Sequence, residues 1–251
     1  MTAGSYIIRG GAAGRERLRV MSRALRGDTT ALLGRLGLRP GMRCLDAGCG
    51  GGDVTLELAN RVVPGGHVMG VDLDETKLDL ARVEADRCGF DNVTYQYADV
   101  TNGSLPSGFD LVYTRFVLTH LPQPEAAARR LVDSLLPGGI CAAEDIDVSG
   151  AFCYPESKAY SAALDLYSAT ARDRGVDPDI GRRLPLLLAE AGCEDVEVKV
   201  AQPAGMSGDA KLIMALTIDA ITEELYVLVE DERTFMSMPR VVQAWGRRPL
   251  Y

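Results

Sequence analysis

The chain reads as an α/β protein, a mostly parallel sheet with helices on both faces and helical insertions toward its end. Three observations predict this class. Strand and helix signals alternate five times between residues 43 and 146, the pattern of parallel strands joined by crossover helices. The first strand runs into glycines at every second position, Gly48, Gly50 and Gly52, and then into a helix. Acids recur where successive strands end, at Asp46, Asp72 and Asp99.

The elements follow in order. Residues 14–26 predict one helix and 29–37 a second, with Asp28 or Thr29 as its N-cap. A turn around Pro40 leads to a strand at 43–47, too apolar for a sheet edge. Residues 53–63 predict a helix and 67–72 the second strand. Asp74 caps a helix at 75–88 that Gly89 ends. Strands at 93–98 and 109–115 follow, then a helix at 123–136 stopped by Pro137-Gly-Gly139, and a strand at 140–146. Beyond this point alternation loosens. Helices are expected at 155–174, 180–191 and 209–229, and strands at 194–201 and 240–247. Ligands of open sheets lie beyond the carboxyl ends of the strands, so the extra helices predict a lid over the site. The expected organisation is one domain over 1–251. Its core is 38–150, 177–204 and 240–251, preceded by a helical segment 1–37, with lid insertions 151–176 and 205–239.

Bulk properties narrow the function. A net charge of −8 over 251 residues argues against a nucleic-acid substrate, whose phosphates need a basic surface. No apolar run reaches the ~20 residues of a membrane span. The N-terminus lacks a signal peptide's charged and apolar regions. Six scattered cysteines without a C-x-x-C pair read as reduced thiols of a cytoplasmic protein, with no metal site. Six arginines (Arg9, Arg15, Arg17, Arg19, Arg23, Arg26) cluster near the start. They form a solvated helix face opposite Leu18, Met21 and Leu25, or contact an anionic ligand group or a partner.

The glycine turn carries the chemistry. Glycine permits the left-handed turn and close approach of a ligand to bare backbone. A dinucleotide fingerprint needs a third glycine where Asp53 stands, and a P-loop lysine is missing. Acids at Asp46 and Asp53 suit a ligand with a cationic or amino-bearing part. Asp72, twenty residues past Gly52, sits where a carboxylate accepts from ribose hydroxyls. Asp99 can accept from an adenine amino group, with Leu73 and Val100 covering the ring, or simply form a turn.

The series D-x-G-x-G-x-G, G-V-D-L-D, A-D-V, Phe109-Asp-Leu-Val112 and Leu135-Leu-Pro-Gly-Gly139 resembles class I S-adenosylmethionine-dependent methyltransferases. The likeness is to the small-molecule branch, ubiquinone/menaquinone-type and secondary-metabolite enzymes, and its motifs span residues 42–147. The resemblance implies a Rossmann-like sheet and S-adenosylmethionine as cofactor. It places Asp46 and Gly48 near the methionine amino group and Gly50 and Gly52 against the ligand. Asp72 goes to the ribose, Asp99 and Val100 to the adenine, and Arg115 to the methionine end. It also implies an N-terminal Tyr and Arg closing over the cofactor, Tyr6 and Arg17 here.

Methyl transfer asks mainly for alignment and exclusion of water, and an oxygen nucleophile gains from a base. His120, just past the fourth strand, is either that base or a packed histidine; His67 lies at the far edge and is structural. Glu144, Asp145 and Asp147 end the fifth strand, and alternation keeps them from all facing one site. Glu144 and Asp145 are candidates to orient the substrate. Arg182 and Arg183 can bind a substrate carboxylate or be solvated. Tyr154, Tyr160, Tyr167, Met214 and Trp245 can wall a substrate or fill the core, with Tyr154 the substrate candidate.

The expected function is methyl transfer to an oxygen, nitrogen or activated carbon of a small organic molecule, by a monomer or homodimer, without nucleic-acid or membrane partners. The alternatives are a cyclisation in which the sulfonium is only electrostatic, and a non-catalytic partner protein.

Overall fold

The computed structural model describes residues 11–103, 105–217 and 223–251; the side chains of 11–15 and 223–226 lie outside the description. Its elements are α1 (Gly11–Arg35), β1 (Arg43–Ala47), α2 (Asp53–Val62), β2 (His67–Asp72), α3 (Glu75–Arg87), β3 (Val93–Tyr97) and β4 (Phe109–Arg115). Then come α4 (Pro124–Asp133), β5 (Leu135–Asp147), β6 (Cys153–Tyr154), α5 (Lys158–Asp173), α6 (Leu184–Glu190) and β7 (Glu194–Ala201). The chain closes with β8 (Ala204–Gly205), α7 (Asp209–Thr217), α8 (Glu223–Glu230), β9 (Phe235–Ser237) and β10 (Arg240–Arg247).

Seven strands form one sheet in the order β3-β2-β1-β4-β5-β10-β7. The first five run parallel, and β10 is antiparallel to both β5 and β7. Strand order reverses between β1 and β4, and a crevice opens at such a switch point beyond the carboxyl ends. Apolar side chains fill both faces. Leu131 of α4 and Leu184 and Leu187 at α6 pack with Leu45 and Val112 on one side. Leu32 and Leu36 of α1 or just past it, and Leu58 of α2, pack with Tyr113 and Trp245 on the other.

Three departures from the sequence reading have physical causes. The two expected N-terminal helices are one, through Asp28 and Thr29. Thr29 cannot cap, because its hydroxyl turns inward to donate to Glu144 (3.4 Å) and accept from Arg115 (3.2 Å). Next, β5 begins at Leu135, before Pro137. Arg248 holds that start in place, its guanidinium donating to the carbonyls of Asp133 (3.0 Å) and Leu135 (2.6 Å), with a register shift between Phe109 and Leu111. The helix expected at 209–229 is described as α7 and α8, with 218–222 outside the described residues.

The two insertions, expected to form a lid, are joined to each other. A three-stranded antiparallel sheet, β6-β9-β8, ties one to the other. Beneath it, Tyr160 and Tyr167 of α5 pack with Met214 of α7, Met236 and Val148. Val148 immediately follows β5, so the lid covers the carboxyl edge. Lys211 is fully buried, and its ammonium donates to the carbonyls of Met206 (3.0 Å), Asp231 (2.9 Å) and Thr234 (3.0 Å). All three protons are satisfied, as a buried ammonium requires. Val20 and Leu25 of α1 pack against Ile213 of α7, which closes the lid from the N-terminal side.

Candidate active site

The glycine loop leaves β1 and crosses the switch point. Gly48, Gly50 and Gly52 have φ of 75°, 54° and 83°, a region closed to most side chains. A Cβ on Gly48 would overlap Val117 Cγ2, and one on Gly52 would come 2.5 Å from the Tyr95 hydroxyl. Two backbone N–H groups, of Gly48 and Cys49, donate to the Val71 carbonyl (2.7 and 2.9 Å), locking the loop to β2.

The strand-end acids are anchored rather than idle. Asp72 is buried; one carboxylate oxygen accepts from Gly50 N–H (2.9 Å) and the other from Asp74 N–H (3.0 Å). Each oxygen keeps a further lone pair, a pair of acceptors suited to two vicinal hydroxyls. Asp99 Oδ1 accepts from Thr101 N–H (2.7 Å) and hydroxyl (2.6 Å), and its Oδ2 from Asn102 (3.3 Å). Asp99 therefore forms a turn and also keeps one acceptor site on Oδ2. Its pKa is lowered, because the bonds from Thr101 and Asn102 outweigh burial, which acts the other way. Asp46 is buried and takes a 2.6 Å hydrogen bond from Thr55. Burial lifts its pKa to about 6, against the opposing pull of Thr55 and Arg115. Leu73 is half-buried and Val100 buried. Arg115 closes β4, where its charge faces Glu144, Asp46 and Asp53.

This donor set fits S-adenosylmethionine. A cradle too tight for a Cβ meets the ligand with backbone, free carboxylate lone pairs meet hydroxyl and amino donors, and the acids Asp46 and Asp53 favour the cationic end. Tyr6, expected to close over it, lies outside the described residues. Arg17 is partly buried next to Leu18, whose Cδ1 would lie 3.6 Å from a Cβ on Gly50.

A second space opens under the lid. An apolar cleft is lined by Phe116, His120, Ile146, Tyr167 and Met214. Phe116 sits at φ 55°, a strained conformation for a bulky residue. That kink turns the chain out of β4 into the short helical turn Leu118–His120. Nothing in the sequence signals it. His120 faces the cleft, and burial, with lesser pushes from Arg17 and Lys77, drives its pKa down to about 4. Its imidazole is therefore neutral near pH 7.

Several expected substrate contacts are placed elsewhere. Glu144 is fully buried on the α1 side, accepting from the Tyr113 hydroxyl (2.5 Å), Gln243 (3.0 Å) and Thr29. It braces α1, β4, β5 and β10 and does not reach the lid cleft. Asp145 is also buried, accepting from the backbone N–H of Thr119 (3.1 Å) and Ile146 (2.8 Å). Burial raises its pKa to about 7. It holds the turn that carries His120 and is not among the residues lining the cleft. Tyr154 is 71% exposed on β6 and lines no part of the cleft. The sequence made it a candidate for the substrate wall, but its side chain lies on the solvent side of β6. Asp147 pairs with Arg182 (2.8 Å) and Arg240 (2.7 Å), and Arg183 with Glu125 (2.5 Å), so these arginines already hold carboxylates. Tyr167 and Met214 do reach the cleft, whereas Trp245 packs in the core across the sheet.

Comparison with known proteins agrees with this geometry. The family model described as Methyltransferase domain matches residues 38–182. An uncharacterized methyltransferase of Schizosaccharomyces pombe is 30% identical over 218 residues, 82% of this chain and 77% of that one. Nocamycin O-methyltransferase of Saccharothrix syringae is 36% identical over 102 residues, 40% of this chain and only 36% of the relative's length. The YcgJ protein of Bacillus subtilis superposes with a TM-score of 0.65 at 16% identity, over 89% of this chain and 99% of that one.

Proposed function

We propose, since the chain belongs to the methyltransferase-domain family and is a class I S-adenosylmethionine-dependent methyltransferase, that it methylates a small organic molecule held in the cleft beneath the lid. The acceptor atom is an oxygen, a nitrogen or an activated carbon. One observation carries this reading. The glycine cradle and the apolar cleft meet at the end of β4, where Val117 fills the space at Gly48 and the adjacent Phe116 lines the cleft.

When bound, S-adenosylmethionine supplies a methyl group already activated by its sulfonium. Asp72 and Asp99 hold the adenosyl part through their remaining lone pairs. The loop 48–52 and Asp46 hold the amino-acid end. Tyr167, Met214 and Phe116 exclude water and align the acceptor, the main source of rate in such a transfer. His120 takes the acceptor's proton on an imidazole nitrogen as the new bond forms, and Asp145 holds the turn that presents it. Likeness to an enzyme named for the O-methylation of nocamycin supports a secondary metabolite as acceptor.

The test is a screen of small phenols, amines and enolisable acids with S-adenosylmethionine. The expected result is S-adenosylhomocysteine in equal amount to a product heavier by one methylene. A product without S-adenosylhomocysteine would replace methyl transfer with another reaction on the same fold.

A further inference from the structure

The lid cleft contains one charge that no described residue neutralises. Arg17, in the second turn of α1, lines the cleft with Met21, Thr119, His120, Leu164 and Tyr167. Its Nε is shielded from solvent and has no hydrogen-bond partner, and no ion pair to it exists among the described residues. No acid lines the cleft among those residues. The surrounding field is felt on both sides. Burial lowers the Arg17 pKa, and Arg17 in turn helps push His120 down.

Other arginines near the crevice are differently placed. Arg115 faces Glu144, Asp46 and Asp53, and Arg23 is paired with Asp209 at 2.9 Å. A shielded guanidinium without a counter-ion is costly to fold, and a planar fork of donors matches a carboxylate or similar oxyanion. Two sources of such an anion exist, the donor's own amino-acid carboxylate and the acceptor. The donor end lies among the acids Asp46 and Asp53. Arg17 instead lies among lid side chains of α5 and α7, beside the neutral imidazole.

We propose that Arg17 recognises an oxyanion on the acceptor, so that the cleft selects an apolar organic anion: a carboxylate, phenolate or enolate borne on a hydrophobic body. This rests on the reading of the cleft as the acceptor site. It assigns Arg17 to acceptor specificity rather than to closing over the cofactor. A guanidinium there also stabilises the deprotonated acceptor beside His120.

The experiment uses two fluorescent probes of one skeleton, 8-anilinonaphthalene-1-sulfonate and uncharged N-phenyl-1-naphthylamine, on the full chain with and without saturating S-adenosylhomocysteine. The wild-type protein is expected to prefer the anionic probe by about tenfold or more, the usual worth of a charged hydrogen bond. Arg17→Met should erase that preference while leaving the neutral probe and S-adenosylhomocysteine affinities unchanged, and Arg17→Lys should keep part of it. Arg17→Met should also melt above the wild type, since it removes a shielded charge that has no ion pair among the described residues.

Equal binding of the two probes to wild type would overturn the proposal, as would an anionic-probe affinity indifferent to Arg17→Met. Loss of S-adenosylhomocysteine affinity in Arg17→Met, with the probe preference intact, would assign Arg17 to the donor's carboxylate instead. A lower melting temperature for Arg17→Met would reveal a partner within the protein and also overturn it. Failure of wild type to bind S-adenosylhomocysteine would refute the methyltransferase reading separately, because the probe pair without it still reports on the anion site.

Discussion

The proposed donor side and the proposed acceptor side of the crevice share an edge of one sheet but are built by opposite means. The donor side comes from one stretch, residues 46–102, and works with backbone and strand-end carboxylates. Asp72 and Asp99 are already anchored to N–H groups at 2.7–3.0 Å. The acceptor side is assembled from side chains of α1, the turn after β4, α5, α7 and the segment before β10. Its walls are apolar, and its polar groups are few. The difference teaches that a cofactor common to many enzymes can be held by local geometry. An acceptor particular to one enzyme is held by tertiary packing of whatever the insertions supply.

The sharpest way to break that contrast is Gly48→Ala. The methyl would overlap Val117 at a residue with φ 75°, and strain plus overpacking of about 3 kcal/mol should weaken S-adenosylhomocysteine by roughly 10²-fold. Titration calorimetry reads this directly. Unchanged affinity would mean that the loop's geometry does not set donor binding.

His120→Ala should act on the other side alone. Turnover should fall by about 10²-fold while S-adenosylhomocysteine affinity stays as in wild type. Burial first, and Arg17 second, hold the His120 pKa near 4. The acid limb of kcat/KM in wild type should therefore lie well below the usual imidazole range. In Arg17→Met it should move upward, because one cause of the depression is gone. An acid limb near 6.5 in wild type would contradict the buried, neutral imidazole.

Asp145 sharpens the contrast through stability. Its carboxyl titrates near 7 in the folded chain, against 3.8 as the ordinary value, chiefly because it is buried. The folded state then binds the proton more tightly than the unfolded state. This contribution is present in full below pH 4 and is lost as pH rises toward 7. Denaturant titrations should show Asp145→Asn removing roughly 2–4 kcal/mol of that pH dependence. Parallel curves for variant and wild type would refute the assignment. The smallest effect belongs to Tyr154→Ala, at a side chain 71% exposed. Melting should change by no more than about 0.5 kcal/mol, and a clear loss of turnover would place Tyr154 in the site after all.

Legibility in the sequence follows the same division. All seven strands of the main sheet were readable, because continuous apolar runs and a period of two report burial on a sheet. The acids at strand ends were readable because one strand-turn-helix unit fixes both their place and their partners. Thr29 was misread as a cap because its real partner, Glu144, lies 115 positions away. The lid sheet left no signal, since strands such as Cys153–Tyr154 and Ala204–Gly205 are too short to alternate. Alternation separated Glu144 from Asp145 but could not say that both would be buried away from the lining of the cleft. The burial of Lys211 left no sequence signal, because only folding brings the carbonyls of 206, 231 and 234 around it.

The central claim is that residues 46–102 grip an adenosyl sulfonium through exposed main chain and strand-end carboxylates. Calorimetric titration of wild type and Asp72→Ala with S-adenosylhomocysteine tests it most directly. One molecule should bind per wild-type chain, and the variant should lose about tenfold or more of the affinity, as expected when two charge-assisted hydrogen bonds are removed. Absence of heat in the wild type, or equal affinity in the two proteins, would contradict the account.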